Sequence, residues 1–438
     1  MRPVYAVAGG VSKFAKARPD KTFQAIIKES FDYAVNDLGI EYKKFIDLCD
    51  GSVCSYFSDH FTRQLMSGAM ANDYLGLCPK PSHRVEGGGA TGGICIQEGW
   101  KNIASGHMDI CACYGFETMS HVNTWKGNEF IACASDMNFD LPVGGFYSGY
   151  YAMMVVRHMK EFGTTVEDLA HVSVKNHYNA YHNPYSQKQL KLTIKDVRNS
   201  PMVAYPLTRL DICVMSDGAA SIILASEEGL AKLEKASGKR IPKVKLTGIG
   251  RGTDMMRMAD RPHQKVILLP NEKASDYKNL KYPGVHSFRA GRTASKMAYE
   301  MAGITDPLKE IDFVELHDAY TSSEIQTYED MGLCKYGEGG AFASSGKAFM
   351  PGIDYGLKLK SQPICPVNPS GGLIACGHPV GATGIMQGVF ALWQLNETLP
   401  KHFGGDKTLF LPKAKRGAIH SHAGTGTYVS VTIMEKEA

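Results

Sequence analysis

The tetrapeptide Gly-Ala-Thr-Gly occurs twice in this chain, at residues 89–92 and 381–384. Each copy opens an apolar segment with helical periodicity, containing Trp100 in the first case and Trp393 in the second, and each segment leads on to a strand-like stretch. Four small residues repeat easily by chance, but a shared loop–helix–strand context reads as a duplicated architecture. Two helix N-termini are then expected to face one another near a pseudo-twofold axis. The second copy ends a glycine-dense run, Pro366 to Gly384, with the sequence PVNPSGGLIACGHPVGATG. Glycine lets a backbone approach a ligand closely or turn where a side chain would clash. His378 lies in this run just before the helix starts, where free N–H groups and the positive end of the helix dipole suit an anionic ligand or an oxyanion. A lone histidine is usually a packing residue, yet a glycine hairpin at a helix mouth is an unusual place for one, which favours a functional role.

Composition removes several alternatives. A chain of 438 residues is long enough for two fused halves. With 44% apolar and 21% charged residues it has a globular composition, and a formal charge of +4 without a long basic run argues against a dedicated nucleic-acid binder. No stretch approaches the roughly 18 apolar residues of a membrane helix. The N-terminal apolar stretch, about seven residues, is too short for a signal-peptide core, so a cytoplasmic protein is expected. The 11 cysteines are spread along the chain and read as reduced thiols. Cys111 and Cys113 alternate along a strand-like run with no second Cys/His pair at zinc spacing, so no metal site is expected.

In order, the pattern predicts a strand over Val4–Gly9, a helix over Thr22–Asp37 capped by Thr22, a strand over Leu48–Cys54, a helix over His60–Leu75, the helix after the first glycine cluster to about Ser105, and a strand over Asp109–Gly115. An aromatic region, 120–210, carries helices near Tyr150–Phe162 and Val166–Ala180, and the strand SIILAS closes the first half. The second half starts near Val244, with a helix at Thr293–Ala302, a strand at Asp312–Leu316, a helix at Ser322–Met331 and strands at Gly417–Ser421 and Tyr428–Met434. The division is 1–235, with 120–210 as a central insertion, and 240–438. Glu324 and Glu329, at i and i+5, are expected on a solvated or interface edge. His158, His171, His177 and His182 are assigned to packing or surface roles.

On NPSGGLIACGHPVGATG, the block Leu316-His317-Asp318-Ala319-Tyr320-Thr321, YEDMGLCKYGEGG, PLTRLDICVMSDGAASIIL and the terminal SHAGTGTYVSV, the chain resembles the thiolase superfamily, in its sterol-carrier-protein-type and archaeal branch, over nearly its whole length. That resemblance implies an α/β protein with the five-layered αβαβα fold of two similar halves. It implies a coenzyme A thioester substrate, a homodimeric core and, as in some thiolase-like subunits, a small zinc-ribbon/OB-fold partner. It further implies that His378 activates a cysteine nucleophile and donates to an oxyanion, and that His317 helps hold a thioester oxygen.

The sequence departs from the pattern at the nucleophile itself. In RVEGGGATGG the cysteine slot is Gly89, and the last loop, Ile419-His420-Ser421-His422-Ala423-Gly424, offers two histidines where thiolases often have a second cysteine. Three readings follow. The first is a carbon–carbon lyase or ligase without an acyl-enzyme, of retro-aldol or Claisen type on a 3-hydroxy- or 3-oxoacyl-CoA, with His420, His422 or Tyr320 as base and oxyanion donors around Gly89, Ala90 and Gly424. The second is a true 3-oxoacyl-CoA thiolase using coenzyme A directly, with the cysteine displaced or deliberately replaced. The third is a silent scaffold subunit, disfavoured because His317, His378 and the glycine loops are intact. Arg289 and Arg292 are candidates for the coenzyme A phosphates.

Overall fold

The computed structural model describes residues 1–437. Nine strands form the main ladder: β1 (Tyr5–Val11), β2 (Gly51–Ser55), β3 (Ser82–Val85), β4 (Ile110–Thr118), β5 (Asp217–Ala225), β6 (Val244–Thr253), β7 (Phe313–Glu315), β8 (Arg416–Ala423) and β9 (Tyr428–Lys436). Their order is β3-β2-β4-β5-β1-β6-β9-β8-β7. Parallel pairs (β2 with β3 and β4, β8 with β7) sit beside antiparallel ones (β4–β5, β1–β5, β6–β9, β8–β9), so each side of the ladder is mixed. The two sides are joined by a short seam, Tyr5↔Lys245 and Ala6↔Val244, with Leu246 N donating to Val4 O at 3.0 Å.

Seven helices matter for the site: α1 (Phe23–Leu38), α2 (Thr91–Ala104), α3 (Tyr147–Phe162), α4 (Val166–Tyr181), α5 (Arg289–Ala302), α6 (Thr321–Asp330) and α7 (Val380–Leu395). Strand alternation sorts the core into layers. Cys111 and Cys113 of β4 face a central core with Cys95 and Ile96 of α2, Ile385 and Val389 of α7, and Ile419 of β8. Ile110, Ala112 and Tyr114 face the opposite way, onto Ile27 and Phe31 of α1. On the far side Ala418, Val429, Val431 and Ile433 pack against Ala294 and Ala298 of α5. Helix, strands, the central helix pair, strands and helix make five layers, as expected. All 16 residues of α7 are buried, which is why its sequence is apolar all round.

The duplicated tetrapeptides meet at their last glycines. A Cβ on Gly92 would lie 2.6 Å from the Gly384 amide nitrogen, and one on Gly384 would lie 2.1 Å from that of Gly93. No side chain fits at this helix crossing.

Most predicted elements are present, with shifted ends. The helix expected over His60–Leu75 is two pieces, Asp59–Thr62 and Ser67–Tyr74, because Arg63 and Met66 take left-handed φ values of 53° and 57°. The strand expected from Leu48 starts at Gly51, since Tyr42–Leu48 is a short helix. Glu324 and Glu329 are buried, contrary to the edge reading: Glu324 pairs with Lys175 Nζ at 2.9 Å, and Glu329 with His158 Nε2 at 2.8 Å.

Candidate active site

The site lies where three loops converge on the mouths of α2 and α7. His317 follows β7, His378 precedes α7, and His422 ends β8 two residues after His420, on the same strand face. The His317 ring centroid is 4.9 Å from His378 and 4.3 Å from His422, and His420 lies behind, 5.6 Å from His422. Gly89 closes the group: a Cβ built there would sit 3.0 Å from His317 Cε1 and 2.4 Å from the His422 carbonyl oxygen. No side chain fits at Gly89 without a shift of this backbone.

A buried polar network fixes these loops. Glu315 accepts from Ser370 N at 2.9 Å and Oγ at 2.6 Å, and Asp318 from Leu373 N at 2.6 Å, so the residues flanking His317 are tied to the glycine-rich run. Beneath it Lys175 donates to Val367 O at 2.7 Å as well as pairing with Glu324, whose Oε2 accepts from Asn176 at 2.7 Å and Asn368 at 2.8 Å. Tyr328 also bonds Glu324. Burial pushes the Glu315 carboxyl up to about 7, against the pull of Ser370, and raises Asp318, reinforced by the Glu324 charge.

Hydrogen bonds assign the imidazole tautomers. Tyr151 Oη lies 2.7 Å from His422 Nε2 and donates to Gly424 O at 2.7 Å. A hydroxyl has one proton, so His422 carries its own on Nε2, and Nδ1, buried without a partner, holds a lone pair. In the same way Thr383 Oγ1 donates to Pro379 O at 3.0 Å and receives His378 Nδ1–H at 2.7 Å, leaving His378 Nε2 as an acceptor. In this neutral form His378 donates from Nδ1 to Thr383 and offers a lone pair at Nε2. Burial pushes His378 and His420 down to about 3, and burial together with the neighbouring imidazoles holds His317 and His422 well below the ordinary value of 6.5. All four are neutral near pH 7.

Other candidates are placed differently. Tyr320 Oη bonds Ser148 at 3.1 Å and stacks on Tyr151 at 4.2 Å, while burial raises its phenol, so it is a poor base. The amides of Gly89 and Gly424 donate to nothing among the described residues, whereas Ala90 N–H is taken by Gly87 O at 3.0 Å. The helix mouth expected to receive an anion is occupied by Glu117, whose Oε2 accepts from Gly381 N at 3.1 Å and Phe57 N at 2.8 Å. Arg292 is buried, its guanidinium engaged by Ile267 O, Glu329 O and Glu272, which rules out the phosphate contact expected of it. Arg289 is half-buried with its Nε unpartnered. Among the described residues no three His, Cys, Asp or Glu side chains are grouped to hold a metal ion. The sequence reading missed Tyr151; the only available signal was an aromatic run, which reads equally well as packing.

Comparison with known proteins agrees with this architecture. Residues 4–228 match the model described as "Thiolase, N-terminal domain" and residues 273–436 that described as "Thiolase C-terminal domain-like". The acetyl-CoA acetyltransferase of Methanothermobacter thermautotrophicus is 34% identical over 436 residues, covering 100% of both chains. The benzoylsuccinyl-CoA thiolase subunit BbsB of Thauera aromatica is 29% identical over 91% of this chain and 90% of its own. Among solved structures an Ltp2-ChsH2(DUF35) aldolase superposes with a TM-score of 0.73 at 21% identity, covering 99% of this chain and 98% of that one, a likeness of fold. The chain belongs to the thiolase family.

Proposed function

We propose that this protein breaks or forms a carbon–carbon bond beside an acyl-CoA thioester without an acyl-enzyme, most directly by retro-aldol cleavage of a 3-hydroxyacyl-CoA or its reverse. The observation that carries this reading is at Gly89: the nucleophile slot has no side chain, and the 2.4 Å approach of its would-be Cβ to His422 O leaves no room for one. A retro-aldol step needs no acyl acceptor. It needs a base for the C3 hydroxyl and donors for the thioester enolate.

His422 Nδ1 is the base in this scheme. It removes the hydroxyl proton, the C2–C3 bond breaks, C3 leaves as a carbonyl, and the electron pair passes into the enolate. The Gly89 and Gly424 amides are free to receive the enolate oxygen, with His317 alongside. The enolate carbon then takes back the proton that His422 Nδ1 removed from the hydroxyl, which returns the imidazole to its neutral form. For the nucleotide end of coenzyme A, a groove of about 750 Å³ is lined by His263, Lys265, Lys281, Tyr277 and Tyr282. Its segment reaches the site through Arg261, which donates to Thr425 O at 2.7 Å. A homodimeric core and a small zinc-ribbon/OB-fold partner belong to the same proposal and are checked by the mass of the purified assembly.

Product analysis tests the chemistry. A 3-hydroxyacyl-CoA is expected to yield a shorter acyl-CoA and a free carbonyl compound without added coenzyme A, and intact mass is expected to show no acylated chain. Cleavage of a 3-oxoacyl-CoA that depends on free coenzyme A would overturn the aldol reading in favour of direct thiolysis, the reading favoured by the names of the two relatives above.

A further inference from the structure

Arg261 is buried, yet among the described residues no carboxylate bonds to its guanidinium. Its donors go to backbone carbonyls alone: Nε to Met255 O at 2.8 Å, Nη2 to Met255 O, Nη2 to Met256 O at 3.3 Å, and Nη1 to Thr425 O at 2.7 Å. Burial pulls the guanidinium below the usual arginine value, against the charge of Asp254, and an arginine still keeps its proton near neutral pH. Buried charges are normally paired. One held only by carbonyl dipoles, one residue along the chain from Gly424, suits a site where negative charge arises during the reaction.

The Thr425 carbonyl begins a chain of two peptide units. Thr425 C=O and Gly426 N–H belong to one unit, and Gly426 N–H donates to Ala423 O at 3.0 Å. Ala423 C=O and Gly424 N–H belong to the next, and Gly424 N–H has no acceptor among the described residues. Thr427 loads the same Ala423 carbonyl twice more, from its amide at 3.0 Å and its hydroxyl at 3.1 Å. A donor that polarises a carbonyl makes the N–H of the same peptide a stronger donor, and the effect accumulates along a chain of such bonds. The cation at one end therefore acts on the free N–H at the other. Tyr151 holds the Gly424 carbonyl, which belongs to a different peptide unit, so the two supports of this turn are separate.

Resting on the acyl-CoA reading above, we propose that Arg261 is a positioning residue for the enolate: through the Thr425 and Ala423 carbonyls it orients the Gly424 N–H and strengthens it as a donor to an anionic oxygen. The guanidinium itself touches no substrate. A polarised N–H gains more from a charged oxygen than from a neutral carbonyl, so this support falls on the enolate and not on the bound thioester.

The test compares two unreactive thioethers by calorimetry: carboxymethyl-coenzyme A, whose carboxylate stands in for the enolate oxygen, and acetonyl-coenzyme A, its neutral ketone counterpart. Both carry the same nucleotide, so a disturbance of its binding cancels in the ratio of the two affinities. The wild-type protein is expected to favour the carboxylate. Arg261→Met is expected to cut that preference roughly tenfold, and Thr427→Val, which removes only the hydroxyl bonded to Ala423 O, by about two- to threefold. A wild-type protein that binds the ketone at least as tightly, or an Arg261→Met protein with the wild-type ratio, overturns the proposal. If Arg261→Met does not fold, Thr427→Val decides: an unchanged ratio overturns the proposal and a reduced one supports it. If coenzyme A and both thioethers bind without a preference, only this inference fails; if none of the three binds, the acyl-CoA reading fails with it.

Discussion

Tyr151 and His422 are joined at 2.7 Å, and the same phenol donates a hydrogen bond to the Gly424 carbonyl. One hydroxyl therefore sets which nitrogen of the imidazole is basic and ties that choice to the Gly424 loop.

Tyr151→Phe removes this constraint and leaves the packing of the ring. The expected outcome is a roughly tenfold or greater fall in kcat with KM little changed, because the variant populates the tautomer with its lone pair on the wrong nitrogen. Steady-state kinetics on the cleaved 3-hydroxyacyl-CoA check it; an unchanged kcat removes His422 Nδ1 from the role of base.

The pH profile carries a sharper expectation. Burial holds His378 down near 3 and His422 well below the ordinary value of 6.5. A base with a lowered value stays unprotonated as pH falls through the usual histidine range. The acid limb of kcat/KM is thus expected to lie well below about pH 6.5, the unperturbed imidazole value. A midpoint at that value would show a solvent-exposed histidine at work.

Restoring the missing thiol is expected to fail. In Gly89→Cys the new Cβ meets His422 O, a backbone atom that cannot swing aside, at 2.4 Å. Overpacking of this kind costs on the order of 2 kcal/mol. Chemical denaturation should show the loss, and intact mass after incubation with an acyl-CoA should show no thioester on the chain.

Glu117, which holds Gly381 N at the start of α7, is pushed up to about 8 by burial, from an ordinary value of 4.5. The folded protein keeps this carboxyl protonated where the unfolded chain has ionised it. Its stabilising contribution is therefore complete below about pH 4.5 and is lost as pH rises through about 8. Glu117→Gln cannot ionise, so it should gain on the wild type by up to about 1.4 kcal/mol per pH unit over that window. Paired melting curves at several pH values between these limits measure the difference; a constant gap would place the charge of Glu117 in water.

The Lys175–Glu324 pair, both residues fully buried, separates support from chemistry. Lys175→Met strands a carboxylate and should cost about 3–5 kcal/mol, while Lys175→Met with Glu324→Gln should recover most of it. A double-mutant cycle by denaturation decides this.

The fold was readable because its signals are local or repeated: the Gly-Ala-Thr-Gly copies, strand alternation at Cys111 and Cys113, and the cap at Thr22, whose side chain accepts from Ala25 N. Gly89, His317, His378 and His422, which the structure groups together, are residues that stand out by motif. The site was not readable where a distant partner decides the outcome. Arg292 has the pattern of an exposed helix start, yet Glu272 and two carbonyls enclose it. Glu324 looks like a surface acid until Lys175 arrives from a helix far away in sequence. Tyr151 could not be separated from the aromatic residues around it, since nothing in its neighbourhood predicts contact with the end of β8.

The crossing of Gly92 and Gly384 bears on how such a site comes into being. The helix mouths that frame it belong to opposite ends of the chain, and α7 has no face suited to water. Neither end can rehearse the site alone: a fragment stopping before Gly384 would leave α2 without its counterpart, and one starting after Gly92 would leave a wholly apolar helix uncovered. The pocket therefore requires both ends of the chain in place at once.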